Sequence, residues 1–114
     1  MRETMDPTVV KCIEDCSTCF RACMETIHHC LTMGGKHAEV NHIVTLMDCA
    51  EMCKASESFM VRMSMSMGAV CAMCADVCDR CADQCERIDP NDEHMKHCAE
   101  MCRQCAESCR SMQM

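Results

Sequence analysis

The 114-residue chain has no tryptophan, no tyrosine and only two phenylalanines. Large aliphatics are scarce too: Leu, Ile, Val and Phe together number 15. These absences exclude an ordinary aliphatic and aromatic core. They also leave no Trp or Tyr for stacking on bases, and the net charge of −7 repels a phosphate backbone. No nucleic-acid partner is expected. No apolar run approaches the ~20 residues of a membrane span, so no membrane partner is expected either. The start, Met1 to Pro7, lacks the basic flank and apolar stretch of a secretory signal, and the expected location is the cytoplasm. Low aliphatic content with net charge is also a signature of disorder. The regularity of the cysteines argues against it.

What the chain has instead is sulfur, with 16 Cys and 15 Met. The cysteines fall in four groups. The first holds Cys12, Cys16, Cys19, Cys23 and Cys30, and the second Cys49 and Cys53. The third holds Cys71, Cys74, Cys78, Cys81 and Cys85, and the fourth Cys98, Cys102, Cys105 and Cys109. Gaps of three and four alternate, which places each group on one stripe of a helix. The stripe continues where cysteine is missing. Thr26 fills it in the first segment. His42, Leu46, Ser56, Met60 and Met63 fill it in the second, and Met95 and Met112 in the fourth.

Local signals divide the chain into four helices, at about 7–33, 37–62, 66–88 and 90–111. Asp6-Pro7 is a cap followed by proline at the first helical position, and Asp89-Pro90 repeats it, with Asp92 in the first turn. Gly34-Gly35 supplies a stop. Ser64 or Ser66 caps the third helix across a tight turn. Such short turns make neighbours antiparallel. The expected fold is therefore all-α, an up-down-up-down four-helix bundle with a cysteine-lined core, and residues 1–114 are one domain. Ala72, Ala75, Ala82, Ala99 and Ala106 lie beside the stripe and allow close helix approach. Glu100, Arg103, Glu107 and Arg110 sit at helical spacing and are read as surface pairs within the fourth helix.

A buried cysteine is ordinarily a small hydrophobe. A stable bundle is easier to build from leucine, so stability alone does not account for sixteen. A disulfide-stapled interaction module is one alternative. It sits poorly with a cytoplasmic setting, and i, i+4 β-carbons lie ~5–6 Å apart against ~3.8 Å in a disulfide. Cross-helix bridges stay open. Metal binding is the other reading. One metal with bonds of ~2.3 Å spans sulfurs up to ~4.6 Å apart, so each Cys-x-x-x-Cys pair is a two-sulfur site. A Zn²⁺ or mixed-metal buffer like a metallothionein is a further alternative. However, four Zn²⁺ on sixteen thiolates leave about eight buried negative charges, a very costly arrangement. One Cu⁺ per thiolate leaves none, and thiolates with thioethers select Cu(I). The leading reading is a high-capacity Cu(I) store holding multiple ions per chain. Catalytic thiols need one distinct environment, whereas this chain repeats the same one, so no enzyme is expected.

Three stretches are the most specific. They are Cys12-Ile-Glu-Asp-Cys16-Ser-Thr-Cys19-Phe-Arg-Ala-Cys23, Cys71-Ala-Met-Cys74-Ala-Asp-Val-Cys78 and Cys105-Ala-Glu-Ser-Cys109-Arg-Ser-Met112. On these the chain closely resembles the four-helix-bundle copper storage proteins of the cytosolic branch, over about residues 8–112. The resemblance implies inward cysteines loading many Cu(I) ions, for storage or detoxification without turnover, and a homotetramer. A copper chaperone or a small thiol is the expected donor. The family often has cysteine where this chain has Thr26, His42 and Met95. His42 and Met95 still offer ligands. Thr26 does not, which implies a lower capacity than in members with a complete stripe.

In this topology His28, His29, His37, His42, His94 and His97 gather at one end. They are read as an uptake port in which His42, Met95 and His97 bind copper and His37 or His94 assists. Met5, Met60, Met63, Met65, Met67, Met112 and Met114 gather at the other end. That end is read as a flexible hydrophobic plug, with a thioether-lined copper path as the alternative.

Overall fold

Apolar and sulfur positions three and four apart leave each segment one way to bury them, as a helix with its stripe turned inward. The computed structural model describes residues 5–112. Met114 and the residues before Met5 lie outside the described residues. Four helices form: α1 (Pro7–Met33), α2 (Val40–Val61), α3 (Met67–Ile88) and α4 (Glu93–Arg110). A single 3₁₀ turn, Gly35–Ala38, precedes α2. The 27 residues of α1 span about 40 Å at 1.5 Å each, which sets the 46 Å long axis. α1 packs on α2 and α4, and α3 packs on the same two helices. The result is an up-down-up-down four-helix bundle.

The helix ends follow from local chemistry. Asp6 accepts a 2.8 Å bond from the Thr8 amide, with Pro7 in the first helical position. Gly34 (φ 70°) and Gly35 (φ 55°) then take the left-handed backbone that ends α1. The structure departs from the sequence reading at three places. Helix two does not begin at residue 37, because the 3₁₀ turn intervenes. Glu39 caps α2 by accepting from the Asn41 amide at 3.2 Å. Helix four does not begin at Pro90. Asp92 caps it, accepting from the Met95 amide at 3.0 Å, and Asp89 bonds His37 instead. Met63 leaves the stripe. α2 stops at Val61, and Met63 takes a left-handed φ of 55° in the turn and is exposed. Ser66 is the cap of α3 but makes no side-chain capping bond; Ser64 Oγ accepts from the Ser66 amide at 3.0 Å.

The interior is made of sulfur. All sixteen cysteines have zero exposure, and Leu46, Met60 and Met95 are buried with them. Ala22, Ala50, Ala75, Ala82, Ala99 and Ala106 fill the helix contacts, while Ala72 is only half-buried at the edge. Outside, Arg103 and Arg110 do not pair with Glu100 and Glu107 along α4 as the spacing suggested. Arg103 reaches Asp79 (3.2 Å), Asp83 (2.7 Å) and Glu86 (2.9 Å) on α3, and Arg110 reaches Asp79 (2.7 Å) and Asp76 (3.6 Å). An acidic row with spacings of three and four lines α3, and the fork of each guanidinium bridges it from the neighbouring helix.

Candidate metal centre

Four inward stripes bring their sulfurs into one column along the bundle axis. At the end near the turn between α2 and α3, Cys109 Sγ lies 3.7 Å from Cys12 Sγ and 3.8 Å from Cys16 Sγ. Cys105 Sγ lies 3.5 Å from Cys16, 3.8 Å from Cys53 and 4.0 Å from Cys109. Cys78 is 3.8 Å from both Cys53 and Cys74, and 3.6 Å from Cys49. Cys102 is 3.8 Å from Cys49 and 3.7 Å from Cys19. Cys23 then reaches Cys98 at 3.9 Å. Cys81 joins Cys23, Cys98 and Cys102 in a four-sulfur group.

The groups share members. Cys16/Cys74/Cys105/Cys109, Cys19/Cys53/Cys78/Cys105, Cys19/Cys23/Cys49/Cys102 and Cys23/Cys81/Cys98/Cys102 each lie within 4.8 Å, and Cys12/Cys71/Cys109 adds a trio. A sulfur common to two groups is placed to bridge two metals. All sixteen thiols are free. The close sulfur pairs, 3.5–4.0 Å apart, exceed the ~2.05 Å of a disulfide and fall below the ~4.6 Å that one metal spans.

Protons inside the column are shared among neighbours. Hydrogen bonds shared with Cys109, Cys16 and other thiols lower the Cys105 pKa, while burial raises it. Bonds led by that from Cys102 do the same for Cys49 and Cys98. Cys102 and Cys109, hydrogen-bonded to the same neighbours, are pushed up correspondingly. Cys85, against Cys81 and Cys98, is also pushed up. Cys30 stands outside this exchange. Burial first, then the charges of Asp92, Cys98 and Cys81, push it to about 11.

Cys30 belongs to a mixed trio at the histidine end. Its Sγ is 3.6 Å from His42 Nε2 and 3.6 Å from Met95 Sδ. All three residues are buried. Burial lowers the His42 pKa and keeps the ring neutral, partly opposed by Gln84. His42 Nδ1 lies 3.3 Å from Gln84 Oε1. When Nδ1 donates there, the Nε2 lone pair faces Cys30, a tautomer suited to a metal ligand. Thr26 fills the stripe between Cys23 and Cys30. It is buried, and its hydroxyl donates to the Ala22 carbonyl at 2.7 Å.

The other histidines are placed differently. His97 is exposed, in a surface groove with Glu25, Thr26, Glu93 and His94, and is not brought to the trio. The stripe passes from Met95 to Cys98, so position 97 points outward. His37 is buried and bonds Asp89 at 2.8 Å, and His29 bonds Asp92 at 2.8 Å. The His94 ring stacks on His29 at 4.0 Å. His28 lines the same surface as His29 and His94. The His37 bond keeps the Asp89 pKa low. Burial works against the Asp92 carboxylate, but the Met95 amide and the His29 ring hold its pKa low. Gln84, Asp89 and Asp92 are functional neighbours that sequence spacing did not single out. At the methionine end Met60 and Met112 are buried, whereas Met63 and Met65 are exposed.

A helical bundle with a continuous thiol interior is a metal-holding protein built around soft ligands. The sequence profile of the copper storage protein family matches residues 5–114, and the chain belongs to that family. Its fold is similar to that of the Nmul_A1745 protein from Nitrosospira multiformis, with a TM-score of 0.87 and 42% identity over 95% of this chain and 96% of that one. It is equally similar to the Cu(I)-bound copper storage protein BsCsp3 of Bacillus subtilis. There the TM-score is 0.87 and identity 34%, over 94% of this chain and 99% of that one. Among curated proteins, the uncharacterized cysteine-rich protein YhjQ of Bacillus subtilis (strain 168) is 37% identical over 66 residues, 58% of this chain. That match spans 61% of the relative's own length. No helix among the described residues is long and apolar enough to cross a membrane.

Proposed function

We propose that this protein stores Cu(I) at high capacity, holding multiple ions per chain on the sixteen cysteines, with His42 and Met95 completing the column beside Cys30. The observation that carries the reading is the buried sulfur column, in which thiols on facing helices approach to 3.5–4.0 Å and four-sulfur groups within 4.8 Å share members. Each thiol that takes up one Cu⁺ gives up one proton, so the filled interior carries no excess charge. Filling the same thiols with Zn²⁺ would strand negative charge in the core. The chain acts by holding and releasing metal, without catalytic turnover, as one domain in the cytoplasm. It assembles as a homotetramer, and a copper chaperone or a small thiol delivers its copper.

The histidine end is the uptake port in this reading. His97 and His94 meet the incoming ion at the surface, and His42, Met95 and Cys30 pass it inward. The test is an anaerobic Cu(I) titration of reduced protein, with metal and free thiols counted after gel filtration. Retention of well over four Cu(I) per chain, approaching the thiol count, is expected. A plateau at about four or fewer overturns the reading. In the same assay, His42→Ala combined with Met95→Ala is expected to slow uptake at least tenfold and to change capacity by no more than about two ions. Stopped-flow loading rates equal to those of the wild type would remove the port from that end.

A further inference from the structure

The turn between α1 and α2 is bonded at both of its ends to the Cys30, His42 and Met95 trio. The Gly34 amide donates to the Cys30 carbonyl at 3.0 Å, and the Glu39 carbonyl accepts from the His42 amide at 3.0 Å. On the facing side, the Met95 amide donates to Asp92 Oδ1 at 3.0 Å, and the Asp92 amide to the Asp89 carbonyl at 3.3 Å. The circuit closes where His37 Nε2 meets Asp89 Oδ2 at 2.8 Å. This side-chain bond ties the α1–α2 turn to the α3–α4 turn at the end of the column where the trio lies.

The turn can leave its seat without unfolding a helix. It is a single 3₁₀ turn entered through Gly34 (φ 70°) and Gly35 (φ 55°). A β-carbon at either glycine would meet nothing within 4 Å, so packing does not wedge the turn there. Its internal bonds are long, 3.2 Å from the His37 amide to the Gly34 carbonyl and 3.5 Å from the Glu39 amide to the Lys36 carbonyl. His37 is the buried residue of the turn. Its Nδ1, however, is buried with no hydrogen-bond partner among the described residues. Seating the ring therefore leaves one nitrogen desolvated, and swinging the turn out returns it to water. The Asp89 side chain is 25% exposed, so water can compete for its carboxylate. The neighbouring pair is the fixed post. His29 lies within α1, and Asp92 both bonds it at 2.8 Å and caps α4.

We propose that the 34–39 turn is a gate over the histidine end of the sulfur column, latched by His37 and Asp89, and that release of the latch sets how fast Cu(I) passes in either direction. The inference rests on the port reading above and adds the residues that control its rate. His37 and Asp89 are positioning residues here, acting on the turn rather than on the ion. A latch is distinguishable from a ligand. It closes over the empty and the filled column alike, so breaking it speeds entry and exit equally and leaves retention unchanged. Losing a ligand weakens retention.

The experiment uses the full chain, reduced and anaerobic. Stopped-flow loading with Cu(I), and withdrawal by a strong Cu(I) chelator, are timed for the wild type, Asp89→Ala, His37→Ala, the two combined, Asp89→Asn and Asp15→Ala. Asp15 bonds Ser108 at the methionine end and is the control. Asp89→Ala and His37→Ala are each expected to speed loading and withdrawal at least fivefold and by the same factor, with helicity and Cu(I) per chain unchanged. The combined variant is expected to match the single ones, because the same bond is lost in each. Asp89→Asn keeps an acceptor and is expected to fall between, and Asp15→Ala to match the wild type. Wild-type rates in Asp89→Ala overturn the gate. Faster withdrawal with unchanged loading overturns it too, as the mark of a lost ligand, and so does a combined variant whose effect is the product of the two. The His42→Ala, Met95→Ala pair tests the port separately. If that pair slows loading and Asp89→Ala changes nothing, the gate alone falls. If neither changes the rate, the port falls with it.

Discussion

Loading with Cu(I) is expected to raise the thermal midpoint of the bundle by more than about 20 °C. The apo core holds few large hydrophobes, and each buried cysteine contributes less than a leucine would. Every ion bound only by the folded chain adds about 2.7 kcal/mol when its free concentration is a hundred times its dissociation constant. For a domain of about this size, 1 kcal/mol moves the midpoint by roughly 4 °C. Several ions therefore outweigh any change in packing. Helix signal followed by circular dichroism, with and without copper, gives the result directly. Stripping the metal with a strong Cu(I) chelator should return the midpoint to the apo value. Coincident curves would mean that copper binds outside the column or binds the unfolded chain equally well.

The second large effect concerns sharing. Cys19 and Cys105 each belong to two of the four-sulfur groups, and together they touch three of the four. Cys105 also has three sulfur neighbours within 4.0 Å. Cys19→Ala with Cys105→Ala is expected to remove about four Cu(I) per chain, more than one for each thiol lost. Cys30→Ala with Cys85→Ala removes the same number of thiols from the histidine-side half of the column and is expected to cost about two or fewer. Metal counted after gel filtration distinguishes them, with helicity as the control for folding. Equal losses would show that each thiol binds its own ion and that bridging contributes nothing.

Much of this was legible in the sequence because the stripe obeys one rule. Alternating gaps of three and four leave a helix no choice of face, so every cysteine is found inside. Asp6-Pro7 was readable for the same local reason. Asp89 was not. The chain offers two acidic caps three residues apart, and local signals do not rank them. Asp89 is engaged by His37 from a different turn, and Asp92 is left to cap α4. Arg103 likewise had good partners along its own helix, but the acidic row of α3 comes into reach only when the helices pack. Gln84 sits beside a stripe cysteine with nothing to mark it until α2 and α3 bring it to His42. His97 was the reverse case. Its distance from the stripe, one residue before Cys98, already placed it outside, and proximity to the histidine-rich end was the weaker guide.

The closed thiol interior also bears on how the protein looks from outside. Each Cu⁺ that enters takes the place of one H⁺ that leaves, and the ionised groups that face water, including the arginine bridges from α4 to α3, are untouched. The full and the empty protein therefore present the same electrostatic exterior. Filling is electrically silent at the surface, so a molecule that withdraws copper has no change of field to read along the flanks. It has to sense occupancy at an end of the column, such as the proposed port where Cys30, His42 and Met95 meet.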